Sequence, residues 1–281
     1  MFKFIKKILL NTVFQNGIIM KIIQGPLKNY KYIVKPDTGF SSLLGRWEKD
    51  TLIIYKNSIF NGDIVFDLGA NFGIHSMYYS KLVQNKGKVF AFEPLESNIK
   101  DLETHISINK INNIIIKPYA VSNVIESTNF KIANHGGQGS LLGIGKETGK
   151  TIKVNTITLD SFCEKMNIYP DFVKIDIEGA ETQALEGFEK AIVKSYPFFA
   201  IDLHTPECDE AVGKFLLKHG YDVYRVIKAS GGNINSDGKL IKKIVDLTLP
   251  YPHSNGIWGV IWAVHPTRMA KVNDFIQKNI E

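Results

Sequence analysis

The stretch Gly62-Asp63-Ile64-Val65-Phe66-Asp67-Leu68-Gly69-Ala70-Asn71-Phe72-Gly73 decides the fold. Its apolar run Ile64–Leu68 breaks at a glycine-bounded bend, Gly69–Gly73, and Ile74–Val83 continues at helical spacing. A short, continuously apolar strand feeding an amphipathic helix is the repeating unit of a parallel sheet covered on both faces. Glycines at the ends of the bend let the backbone turn sharply and let a ligand approach without meeting a Cβ. The helix start beyond it aims free N–H groups at that ligand. The spacing is GxxxG, not the GxGxxG of dinucleotide binding. Asp67, two residues ahead of the first glycine, repels a pyrophosphate but suits an ammonium or a sulfonium-bearing amino acid. Lys88–Phe92 reads as the next strand, and Glu93 closes it, where an acid binds both hydroxyls of a ribose. Taken singly, Asp67 also reads as a capping carboxylate and Glu93 as a solvated strand end. Taken together, they describe a pocket for an adenosine joined to a cationic amino acid.

Working outward, strands and helices keep alternating. Ser97 opens a helix reaching about Asn109, and Ile114–Pro118 is a third strand. The stretch from Ser122 to Asn155 is irregular, with a glycine-rich turn at Gly136-Gly137-Gln138-Gly139. A short helix is expected over Thr158–Asn167, strands over Phe172–Ile177 and Phe198–Leu203, and a helix between them over Ala180–Lys194. A helix over Glu207–His219 precedes a strand at Asp222–Ile227 and a final apolar segment, Gly256–Val264. The last two strands have no helix between them, which suggests an antiparallel hairpin at the sheet edge.

The 281 residues are ordinary globular material, 44% hydrophobic and 22% charged, enough to bury a core without metal or disulfide. Cys163 and Cys208 give neither a disulfide framework nor a metal motif, so both read as packing residues in a reducing, cytoplasmic compartment. The formal charge of +6 is uneven: Lys3, Lys6, Lys7, Lys21, Lys28, Lys31 and Lys35 fall within residues 1–36, which hold no Asp or Glu. The remainder is near neutral, against the long basic groove that a nucleic-acid enzyme needs. The apolar run Ile8-Leu9-Leu10 is too short for a signal or a membrane span. Phe4, Ile5, Ile8 and Leu9 recur at helical spacing beside the lysines. That helix packs on its own domain or lies on an anionic membrane face.

Here a resemblance enters. The bend above, then Val89-Phe90-Ala91-Phe92-Glu93-Pro94, Asn98, Tyr119-Ala120-Val121-Ser122, Gly139-Ser140-Leu141, Leu159-Asp160, Lys174-Ile175-Asp176-Ile177-Glu178-Gly179-Ala180-Glu181 and Asp202-Leu203-His204 closely resemble the FkbM-type methyltransferases, in that family's order. The likeness covers about residues 45–205, and the lead-in Gly45-Arg46-Trp47-Glu48 matches more weakly. Asp202 stands where the family commonly has Glu. The resemblance implies a Rossmann-like α/β fold, with a seven-stranded, mostly parallel sheet whose last strand is antiparallel, and S-adenosylmethionine as methyl donor. It puts Gly69, Ala70, Asn71 and Gly73 around the methionine moiety with Asp67. Glu93, Pro94 and Asn98 fall on the ribose side, Ala120 and Val121 flank the adenine, and Asp176 and Glu48 reach the cofactor. The expected organisation is a helical cap extension over residues 1–60, the methyltransferase domain over 61–268 and a tail over 269–281.

The reacting centre follows from spacing. Asp176 and Glu178 end one strand, Asp202 and His204 the next, and a separation of two puts each pair on one face. Ligands of parallel sheets sit beyond the carboxyl ends of the strands. The donor's sulfonium is already electrophilic, so the protein must align an acceptor oxygen and remove its proton. His204 suits the base, and Asp176 or Glu178 orients the acceptor or the cofactor's cation. His204 also reads as a cap for the following helix. The same acids and imidazole would bind Mg²⁺ or Ca²⁺, though no metal is assigned. Lys174 shares a face with Asp176 and reads as its ion-pair partner, and His75 as a surface or capping residue. His135, Tyr251, His253 and Trp258 are candidate acceptor contacts or packing residues. The expected reaction is O-methylation of a hydroxyl on a glycan or small molecule, with the basic arm as a possible membrane contact. Nucleic-acid or other N-methylation is the alternative, as is a non-catalytic binding protein. Asp176-Ile177-Glu178-Gly179 stands where amine methylases carry an Asn/Asp-Pro-Pro-aromatic tetrapeptide.

Overall fold

The computed structural model of the chain describes residues 17–35, 42–45, 47–133, 139–141, 147–227, 238–244 and 259–281. It opens with Ile18–Lys21 (β1) and Lys31–Val34 (β2), paired antiparallel, and Lys49–Ser58 (α1). The alternating units are Ile64–Leu68 (β3), Ile74–Val83 (α2), Lys88–Phe92 (β4), Glu96–Ile108 (α3) and Ile114–Lys117 (β5). Then come Ala120–Val121 (β6), Ser127–Ala133 (β7), Gly139–Ser140 (β8), Glu147–Ile157 (β9) and Leu159–Met166 (α4). Phe172–Ile175 (β10), Glu181–Glu186 (α5), Ile192–Ser195 (α6), Phe198–Leu203 (β11) and Pro206–Lys218 (α7) follow. Asp222–Val226 (β12), Ile241–Lys243 (β13), Gly259–Val264 (β14) and Asn273–Asn279 (α8) close the chain.

The large sheet runs β13-β12-β14-β11-β10-β3-β4-β5. β3, β4, β5, β10 and β11 pair in parallel, which makes the fold Rossmann-like. The chain travels from β3 outward through β4 and β5, then returns to β10 on β3's other side. The switch point lies between β3 and β10, where α/β sheets open a ligand crevice.

Alternate residues of each strand feed two cores. Val65, Phe172, Phe198, Ala200 and Trp262 pack under α1 and α2, whereas Phe66, Val173, Phe199, Ile201 and Ile261 pack under α4, α5 and α7. Lys174 stands opposite Asp67 in the register between β10 and β3, on the face with Phe172. The polar end of that face becomes the site.

Five expectations need correction. The helix expected over Ala180–Lys194 is broken by a turn over residues 187–191 into α5 and α6. Residues 18–34 are a hairpin, not part of a helical cap, because Gly25 and Asn29 take left-handed turns (φ 84° and 73°) that reverse the chain. Of the cap, α1 is helical as expected, and the amphipathic helix expected over residues 4–9 lies outside the described residues. Among the described residues the sheet has eight strands instead of seven, the extra one being the three-residue edge strand β13. β14 does not form an edge hairpin with β12; it inserts between β11 and β12, antiparallel to both. Its six residues are all buried, as a strand covered on both faces requires. The described part of the stretch after Ser122 belongs to a second sheet, β6-β9-β7-β8, and the glycine-rich turn read at Gly136-Gly137-Gln138 lies outside the described residues.

Candidate active site

Five loops at the carboxyl ends of the parallel strands enclose a cavity of about 550 Å³, the size of a cofactor pocket. Its floor is the bend after β3. The amides of Gly69 and Ala70 both donate to Phe92 O at 3.0 Å, folding the bend onto β4. Gly69 has φ 79°, and a Cβ there would lie 2.0 Å from Asp176 O. The glycine is therefore required by the neighbouring backbone after β10, beyond the ligand approach expected from sequence. Gly73, with φ 86°, starts α2, and its Cβ would meet Leu102 Cδ1 at 2.1 Å. It does not line the cavity; it lets α2 pack on α3.

Glu93 is 4% exposed and carries the second acid of the site. Its Oε2 accepts from Asn71 N–H at 2.8 Å, and its Oε1 from Leu95 N–H at 2.9 Å and Asn98 Nδ2 at 3.2 Å. Burial pushes its pKa up to about 7 against those three donors. Asn98 thus orients Glu93 from behind the wall. Asp67 also stands behind it, fully buried, with Oδ2 accepting from Ser76 Oγ at 2.5 Å. Burial raises its pKa, opposed by Lys174. Of the expected cofactor residues, Gly69, Ala70, Asn71, Glu93, Pro94, Ala120, Val121, Asp176 and Glu48 line the cavity, and Asp67, Gly73 and Asn98 support it.

The reacting end gathers what the spacing of two suggested. Lys174, 1% exposed, donates to Asp176 Oδ2 at 2.7 Å and faces Asp202 Oδ2 at 4.0 Å. Burial works against the ammonium, but Asp176, Asp202, Asp67 and Glu48 raise its pKa further. Burial likewise opposes ionisation of Asp176, yet Lys174 and His204 hold it down to about 2. Asp202, half-buried beside Asp176, is pushed up to about 8 by desolvation and by that carboxylate. His204 Nε2 lies 3.5 Å from both Asp176 Oδ1 and Glu178 Oε2, and its Nδ1–H donates to Glu181 Oε1 at 2.8 Å. Although burial lowers its pKa, the Glu181 bond and the carboxylates of Asp176, Glu181 and Glu178 raise it to about 9. The helix cap considered for His204 belongs to Thr205, whose Oγ1 accepts from Cys208 N–H.

Strain concentrates here. Asn71, Glu178 and Glu48 all have positive φ, at 52°, 53° and 35°, conformations costly for residues other than glycine and held by surrounding structure. Glu178 is pinned through its carbonyl, which accepts from Ser140 Oγ at 2.7 Å.

Several lining residues escaped the sequence reading. His75 is not a surface residue: its side chain is 12% exposed, lies between Tyr55 and Tyr79, and faces Glu48 Oε2 at 3.1 Å. Partial burial opposes ionisation of Glu48, but His75 lowers its pKa. Phe130, Gly139 and Leu141 of the small sheet form the opposite wall. The signal that could have found Phe130 is the alternation of Ile152, Val154 and Thr156 with polar residues on β9, β7's partner. The pairing of Glu181 with His204 had no signal beyond the motif itself. Asp176, Glu178 and His204 also offer ligand atoms within 4.8 Å of one another, a spacing compatible with a metal ion. His135, Tyr251, His253 and Trp258 lie outside the described residues. No helix among the described residues is long and apolar enough to cross a membrane.

A hexuronic acid methyltransferase, AglP, of Haloferax volcanii is 28% identical over 172 residues, 61% of this chain and 68% of the relative. A solved FkbM methyltransferase from Methylobacillus flagellatus KT superposes with a TM-score of 0.45 at 15% identity, over 72% of this chain; the chain spans 44% of that protein's length. Aeropyrum pernix fibrillarin, solved with natively bound S-adenosyl-L-methionine, gives a TM-score of 0.43 at 12% identity over 77% of this chain and 74% of its own. The model of the methyltransferase FkbM domain matches residues 67–223, more than half of the chain. The chain therefore belongs to the FkbM methyltransferase family and is a methyltransferase, with S-adenosylmethionine as its cofactor.

Proposed function

We propose that the chain methylates an oxygen of a glycan or small-molecule acceptor, with an acidic sugar as the favoured substrate. The observation that carries this reading is His204, whose Nε2 faces a cleft at the strand ends beside Asp176 and Glu178. The hexuronic acid named for the Haloferax relative supports the sugar class. The residues fit S-adenosylmethionine. The buried Glu93 suits a ribose diol, the bend offers close backbone approach, and the carboxylates of Glu48 and Asp176 suit a cationic amino acid. When bound, the cofactor supplies a methyl group already activated on a sulfonium.

With a hydroxyl acceptor, Nε2 of neutral His204 would take the hydroxyl proton as the oxygen receives the methyl group. Asp176 and Glu178 orient the acceptor and balance the imidazolium that results. A second reading has its own support. At a pKa of about 9, His204 carries its proton at neutral pH, and a charged ring suits binding of the sugar carboxylate. Methyl ester formation on that carboxylate needs no proton removal. Asp176-Ile177-Glu178-Gly179 and the near-neutral domain disfavour a nucleic-acid acceptor. The lysines of residues 1–36 suit an acceptor held at an anionic surface, such as a lipid-linked glycan.

The test is methyl transfer from labelled S-adenosylmethionine to uronic-acid oligosaccharides, followed by mass spectrometry before and after mild alkali. An alkali-stable ether supports the hydroxyl reading and an alkali-labile ester the carboxylate reading; label on neither defeats both. His204→Ala is expected to lower turnover by roughly 10²–10⁴-fold while S-adenosylhomocysteine affinity stays within a few-fold. Unchanged turnover would remove His204 from the chemistry.

A further inference from the structure

Glu181 opens α5 and is completely buried, with none of its surface exposed. A carboxylate in that position must be repaid by close partners, and three converge on it. Oε1 accepts from Gly179 N–H at 2.9 Å and from His204 Nδ1–H at 2.8 Å. Oε2 accepts from Cys208 Sγ at 3.3 Å. Glu181 touches no part of the cavity, whereas His204 lines it. The two nitrogens of the ring are thereby given different duties. Nδ1 is committed inward, and Nε2 is left 3.5 Å from Asp176 and Glu178, too far for a strong hydrogen bond to either. A buried carboxylate behind a histidine selects its tautomer and stabilises its charged form.

We propose that Glu181 is the positioning residue of this site, fixing His204 with Nδ1–H internal and Nε2 turned to the acceptor, its buried carboxylate standing as the ring's counter-ion 2.8 Å from Nδ1. The inference rests on the assignment of His204 to the reaction, but its physical content does not depend on which oxygen is methylated. The groups facing the ring are Asp176 and Glu178 from the turn after β10 and Glu181 from α5. Asp202 on β11 and Lys174 behind Asp176 complete the charged surroundings.

Glu181→Gln separates positioning from charge. A glutamine Oε1 accepts from Gly179 and His204 as before, and its amide replaces the oxygen beside the adaptable thiol of Cys208. The ring keeps its tautomer and loses its counter-charge. Nitrogen-15 NMR titration of His204 in the full chain, without cofactor or acceptor, is expected to show Nδ1 protonated in both proteins. The ring pKa should fall by about 1 unit or more in the variant. In turnover, the limb of the pH profile assigned to His204 moves by the same amount, with KM for the cofactor within about twofold. A purely structural Glu181, holding only the turn at Gly179, would lower thermal stability and leave the titration where it was. His204 titrating within about 0.3 unit of wild type in Glu181→Gln would overturn the proposal. Because the titration needs no substrate, a failure to methylate uronic acids is read separately from it.

Discussion

Protonation of His204 ties folding stability to pH, and the size of the link follows from the site. A group whose pKa is higher folded than unfolded contributes stability that is complete below the unfolded value and lost as pH climbs through the folded one. For His204 those limits are the ordinary 6.5 and about 9. At about 1.4 kcal/mol per unit, the interval is worth about 3 kcal/mol. Roughly 2 kcal/mol of that falls below pH 8. Asp202, itself raised to about 8 by burial and by Asp176, is still mostly protonated through the lower part of that range. The perturbation is His204→Asn, which is neutral at every pH in the window. Denaturant unfolding of both proteins, followed from pH 6 to 9, reads the difference directly. Wild type should begin more stable and converge on the variant as pH rises, the gap closing by about 2 kcal/mol between pH 6.5 and 8. Parallel curves would refute the reasoning, because they would mean that the carboxylates of Asp176, Glu178 and Glu181 do not hold the ring's proton.

Other outcomes follow from the same geometry. Glu93→Gln removes the charge and replaces with an NH2 donor one of the two oxygens that accept from Asn71 on one side and from Leu95 and Asn98 on the other. Calorimetry with S-adenosylhomocysteine should show about 10- to 100-fold weaker binding. In wild type, affinity should rise as pH passes about 7 and Glu93 ionises; equal affinities at pH 8 would clear Glu93 of a cofactor role. Gly69→Ala pushes a Cβ to 2.0 Å from Asp176 O at a φ of 79°. A loss of ~3 kcal/mol or more is expected in the unfolding free energy, and a loss below about 1 kcal/mol would mean the two loops separate easily.

The sequence disclosed the fold where one rule acted alone. Ile64–Leu68, Ile74–Val83 and Lys88–Phe92 form as read, because a continuous apolar run and helical periodicity each have one solution there. Reading failed where long-range pairing decides. The polar, Thr- and Lys-rich strands β7 and β9 bury one face only against a partner some twenty residues away in the chain. Within the site, Asp176, Glu178, Asp202 and His204 do meet, but not through a strand's period of two alone: β10 ends at Ile175 and Glu178 sits in a left-handed turn beyond it. Spacing could not show that Asp67 would turn from the cavity to Ser76, or that Glu181, one helical turn on, would reach back to His204. Those contacts depend on how α2 and α5 pack on the sheet, which no single segment encodes.

The place of β14 bears on how the chain is made. The polypeptide emerges from its amino end, so β11 and β12 exist before the segment that lies between them. Until Gly259–Val264 has left the ribosome, two neighbouring edges stand open with their amides and carbonyls unpaired, flanked by apolar surface. Such edges recruit other chains. Synthesis interrupted just before this segment therefore yields an adhesive, split sheet instead of a smaller working enzyme. Completion of the cofactor-binding half does not by itself make the nascent protein safe.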